Sequence, residues 1–238
     1  MTLWRERRKE MGTDIHLYVE KFEGGKWYEV EPPYDTRYGH KSWSPFYKYR
    51  SLDFDEPDPE ARNYRVFAFL ADVRNGFGFA GLVSHRPITP QFAGRGIPED
   101  TSWHWEYDEE TGETISGVWI GDHSFTWATL TELLKAPWDM EFHSTGIVNR
   151  DGYKSWKENG VPNAWSLNVS GYLVRKLPLN EFERLYKAGK LGEHDYTRVR
   201  WTWRPLENCG FKRWVFEVLK PLAGDDTDSI RVLMGFDS

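Results

Sequence analysis

The segment Thr13-Asp-Ile-His-Leu-Tyr-Val-Glu20 alternates apolar and polar residues one by one. A period of two is the pattern of a half-buried strand and is incompatible with an amphipathic helix. Gly24-Gly25 supplies a turn, and Lys26 to Glu31 returns as the second strand of a hairpin. A two-residue turn at Gly24-Gly25 places Glu20 opposite Glu29. Like charges facing each other across a strand pair are unfavourable. Either the loop is longer than two residues or a cation stands beside the pair; the longer loop is the expectation.

Other segments carry equally local signals. Residues 61–74 have helical spacing (Tyr64, Phe67, Leu70, Ala71, Arg74) and run into Asn75-Gly76. Asp108 to Gly112 reads as a hairpin turn, with Thr114 to Ile120 returning as a strand. Gly121 to Trp127 is expected to lead straight into a helix, where Thr129 and Glu132 fit a capping box and Pro137 stops the run. Strands are expected over 171–177, 196–203 and 229–236, and helices over 180–189 and 206–219. Residues 32–58 and 85–125 read as irregular. The sum is one α+β domain over 11–238, with a mixed or antiparallel sheet, a few short helices and long loops. Residues 1–10 are expected to be a charged extension without the apolar stretch of a secretory signal.

Composition narrows the function classes. Aromatic residues make up 16 % of the chain, with 13 Trp, and most of these rings are expected in the core, with three or four at a binding surface. The net charge of −6 argues against a protein that coats duplex DNA. Mean hydropathy of −0.70 and the lack of a long apolar run argue against a membrane span. The single Cys209 cannot form an internal disulfide, which fits a reducing cytosol.

Three polar patches are candidate sites. Asp14 and His16, two apart on a strand, project to one side about 6.5–7 Å apart, a spacing at which a carboxylate and an imidazole can share a divalent metal or orient a water. Asp122-His123-Ser124, read as preceding a helix, offers His123 as ligand or acid/base and Ser124 as an anion contact. Arg95 to Ser102 is the third: Arg95 can fork onto a phosphate, and Asp100 can pair with Arg95 or, with Ser102, shape the loop. Asp14, His16 and His123 are therefore the candidate catalytic and metal-holding residues. Arg95, Asp100, Ser102, Ser124 and Trp127 are the candidate ligand-binding ones. Arg198, Arg200 and Arg204 form a further basic face, opposite Trp201 and Trp203 on the same strand.

The run Met11-Gly-Thr-Asp-Ile-His-Leu-Tyr-Val-Glu20 resembles the opening of a family of uncharacterised phage and prophage proteins. Arg62-Asn-Tyr64, Ala71 to Arg74, Arg95 to Ser102, His123 to Leu133 and Ile230 to Asp237 agree in order. The chain departs from that pattern in its ten-residue extension and at Met234-Gly235, where aromatics are more usual. The resemblance implies a phage origin and a host bacterial cytoplasm; it implies no activity. The polar patches suggest one pocket for an anionic small molecule such as a nucleotide. The alternatives are a non-catalytic protein that engages a host protein through aromatic residues, and single-stranded nucleic-acid binding through the Arg198/Arg200/Arg204 face.

Overall fold

A computed structural model describes residues 12–32, 43, 62–111 and 113–237, together with the backbone of 34–35 and 40–41. The charged extension, most of the irregular stretch 32–58 and Gly112 lie outside the described residues.

The first sheet is antiparallel. Its strand order is Lys26–Glu29 (β2), Asp14–Glu23 (β1), Ile230–Asp237 (β11) and His123–Thr129 (β7). β11 lies between β1 and β7 and is buried from Ile230 to Phe236. Ile15, Leu17 and Val19 share one face with Met234, Val232 and Phe236 and pack against the helix Tyr64–Ala71 (α1). Val66 to Ala71 of α1 are all buried. Asn63 caps its start by accepting from the amides of Arg65 and Val66, and Asp72 at φ 65° ends it.

The turn at Gly24-Gly25 is two residues long after all, since Glu23 pairs with Lys26 and Glu20 with Glu29. The cation supplies the physical reason. Arg231 on β11 lies opposite Glu20 on its other side, its Nε 2.8 Å from Glu20 Oε2.

The second sheet is mixed. Phe142–Val148 (β8) pairs antiparallel with Asp195–Trp203 (β10), which pairs parallel with the short Arg175–Lys176 (β9). The expected strand over 171–177 thus shrinks to two residues. The segment 84–86 borders β8 through Arg86 N to His143 O at 2.9 Å and Thr145 N to Ser84 O at 2.9 Å. Behind this sheet, helices Arg150–Asn159 (α3) and Leu179–Lys187 (α4) bury Tyr153 and Phe182 against Val199 and Trp201. Trp203 packs on both this core and the first.

Helix Leu130–Lys135 (α2) starts at Thr129 with the expected capping box, both reciprocal hydrogen bonds present. As expected, the segment before it runs straight into the helix, but it does so as the strand β7, so His123-Ser124 is not at the helix N-terminus. Cys209 caps the last helical run, in which Gly210–Trp214 (α5), a π-helical turn Val215–Leu219 and Lys220–Ala223 (α6) follow one another. Trp105–Tyr107 (β5) and Thr114–Gly117 (β6) form a small hairpin, and Tyr34–Asp35 (β3) pairs with His40–Lys41 (β4). The architecture is α+β. Among the described residues, no helix is long and apolar enough to cross a membrane.

Most described rings fill the cores, in edge-on pairs such as Phe67–Phe236 and Trp165–Trp201. The exposed ones are more numerous than expected and come from separate elements: Phe22, Tyr28, Phe77, Phe79, Tyr107, Trp119, Tyr172 and Phe216.

Candidate anion-binding site

The residues of the three polar patches lie around the first sheet, where each is engaged by neighbouring groups. Asp14 takes a bidentate fork from Arg62, with Nε at 2.8 Å from Oδ1. His16 places Nε2 3.4 Å from Asp237 and rests its ring on Trp119, 4.6 Å between centroids. Directly opposed residues on neighbouring strands share a face. His123 opposes Phe236, which itself opposes Ile15, so His123 projects to the face away from Asp14 and His16. The sheet separates the imagined trio. Among the described residues no group of three His, Cys, Asp or Glu side chains is placed to hold a metal, so the expected Asp14/His16/His123 set is not assembled.

The loop patch is likewise internal structure. Arg95 forks onto Glu132 at 2.8 and 2.9 Å and lies over the rings of Phe92 and Trp127. It does not pair with Asp100. Asp100 instead accepts from Arg231 Nη1 at 2.8 Å and Trp27 Nε1 at 2.9 Å. Those contacts, the Arg231 pair first, hold its carboxyl below the usual range. Ser102 donates its amide and hydroxyl to Glu20, and Thr101 adds a third donor at 2.8 Å. Trp127 lies between Arg95 and Arg231. The 95–103 segment therefore closes over the polar face of β1, where sequence alternation suggested an open one. Ser124, exposed and at φ 54°, meets its neighbour His123 at 2.9 Å.

The second sheet offers something different. On β10 the side chains of Arg198, Arg200 and Thr202 alternate outward while Thr197, Val199 and Trp201 turn in. Thr202 lies opposite His143 and Arg200 opposite Thr145 on β8, so these four share the outer face. The bordering segment brings Arg86 beside His143. Together with Val83, His85, Ser144 and Trp201 they line a cleft of about 510 Å³. No acidic residue lines it, and none of Arg86, Arg198 and Arg200 has a carboxylate partner among the described residues. Arg204 belongs elsewhere, paired with Glu141 at 3.4 Å and Glu207 at 3.8 Å.

No family model matches the chain, and no curated protein or solved structure matches it significantly.

Two buried groups back the cleft wall. His85, 2 % exposed, accepts from the amide of Gly76 at Nε2 (3.2 Å), so its Nδ1–H faces Ser84 Oγ at 2.7 Å. Burial, with the charge of Arg65 second, pushes its pKa down to about 4 and keeps the ring neutral. Arg65 lies over the ring of Trp203, 5.1 Å to the centroid, with no hydrogen-bond partner for its Nε. Desolvation lowers its pKa to about 10, so it remains a cation at neutral pH. Trp203 in turn donates to Ser144 in the cleft wall at 2.9 Å.

Sequence reading found Arg198 and Arg200 but not Arg86, His143, Thr145 or Arg65. The alternation of 196–203 was the signal for the first pair. Nothing local marks the others, which reach the cleft only through strand pairing.

Proposed function

We propose that this protein binds an anionic small molecule, phosphate-bearing and of nucleotide class, in the cleft between residues 83–86 and the β8–β10 face. The observation that carries this reading is three guanidinium groups lining one cleft without a carboxylate, in a chain of net charge −6. An acidic protein has ample carboxylate to neutralise its arginines, and it does so at Arg62, Arg95, Arg175, Arg204 and Arg231. Guanidinium donors match phosphate oxygens in a forked geometry, while Thr145, Thr202 and His143 add neutral or switchable donors. A volume of about 510 Å³ falls within the usual span of small-ligand pockets. A phage origin, as the resemblance implies, would set this reading in a host bacterial cytoplasm, where nucleotides are abundant.

Within the cleft His143 Nδ1 meets the Thr202 hydroxyl at 3.0 Å; binding rather than turnover is what the unpaired guanidinium groups support. The test is titration calorimetry with a nucleoside triphosphate on the wild type and on Arg198→Gln/Arg200→Gln. Binding that drops at least about tenfold in the variant supports the site. Undiminished binding places the ligand elsewhere.

A further inference from the structure

The neighbours of the cleft arginines bear on which phosphate compound the cleft accepts. At the β9 end, Arg175 forks onto the buried carboxylate of Asp195 at 2.6 Å through both Nε and Nη2. At the other end of β10, Arg204 is held by Glu141 and Glu207. Between them stand Arg198 and Arg200, with Arg86 across β8, and Arg65 adds a fourth positive charge from behind the wall at Trp203 and His85. Three unneutralised guanidinium groups thus meet in one cleft, with Lys176 of β9, bound to Asn168 Oδ1 at 3.0 Å, standing beyond it along the outer face.

A phosphodiester strand distributes one charge per nucleotide and is held by a groove that tracks its backbone. A terminal phosphate carries about −1.5 to −2 at pH 7 by itself, and a chain of phosphates concentrates several charges within a few ångströms. Resting on the anion-site reading, we propose that the cleft is selective for a compact polyphosphate, as in a nucleoside di- or triphosphate, over a diester strand and over a lone phosphate. Arg198 and Arg200 grip the phosphate chain from β10, and Arg86 closes on it from the opposite side. Arg65 does not touch the ligand; it acts as a positioning charge that favours higher ligand charge.

Calorimetry on the full chain at fixed salt, with inorganic phosphate, pyrophosphate, a nucleoside mono-, di- and triphosphate, and a ten-residue thymidine oligonucleotide, separates the possibilities. Affinity is expected to rise at least about tenfold from mono- to triphosphate, and the oligonucleotide is expected to bind more weakly than the triphosphate. Arg86→Gln, an exposed position on a different segment from β10, is expected to weaken triphosphate binding more than monophosphate binding. Equal affinity for mono- and triphosphate overturns the selectivity while leaving the anion site in place. Tighter binding of the oligonucleotide overturns it in favour of a strand-binding face. If none of the probes binds the wild type, the anion-site reading itself fails.

Discussion

Glu20 and Arg231 have side chains only 0 % and 4 % exposed. Two ions at that depth are stable because each is held by further partners: Thr101 and Ser102 on the carboxylate, Asp100 on the guanidinium, and the Trp27 ring 4.0 Å from it. Arg231→Met strands Glu20 as a buried charge and is expected to cost about 3–5 kcal/mol, read as a lower urea midpoint. Glu20→Met/Arg231→Met strands neither charge and is expected to lose less than the single variant; a larger loss would contradict this account. His85 gives a pH signature. Its folded-state pKa of about 4 lies below the ordinary 6.5, so the neutral ring contributes stability fully above pH 6.5. That contribution is lost as pH falls toward 4, by on the order of 3 kcal/mol. Urea midpoints measured between pH 7 and 4.5 should fall, and His85→Gln should flatten that decline.

At the scale of elements, β8 shows why some structure stays hidden in a sequence. Its inward residues are Phe142, Ser144, Gly146 and Val148, an alternation interrupted by two small residues. A Cβ on Gly146 would stand 2.8 Å from Trp165 and 3.0 Å from Trp201. The small residues are required by bulky rings from elsewhere, and no local pattern reveals that. Gly146→Val is therefore expected to destabilise the protein by about 2 kcal/mol or more through overpacking, measured by thermal or urea unfolding with the near-ultraviolet signal of the Trp cluster as probe. By contrast, β1, β10 and β11 were legible, as was the capping box of α2, because alternation and caps are local. Glu132 also anchors Arg95, so Glu132→Ala is expected to remove about 1 kcal/mol and loosen the 95–103 segment, visible as faster amide exchange there.

Across the whole molecule, charge is arranged unevenly: carboxylates neutralise arginines around the first sheet and leave those of the second sheet's outer face unpaired. Arg65, largely buried with an unpartnered Nε, extends that imbalance inward. A desolvated cation without a carboxylate partner opposes folding. Arg65→Met is expected to raise stability by about 1 kcal/mol in the absence of ligand and to weaken triphosphate binding a few-fold. A strongly destabilised Arg65→Met would show that the fold itself depends on the cation. The sequence by itself determined the α+β class, the main alternating strands, the caps and the outward projection of Arg198 and Arg200, because these follow from spacing along one chain. Only the tertiary structure decided that His123 stands on the other face from Asp14 and His16, that Arg95 and Asp100 serve other partners, and that Arg86 joins the β10 arginines. Those outcomes depend on which strands become neighbours, and a sheet assigns neighbours across as many as 223 residues of chain.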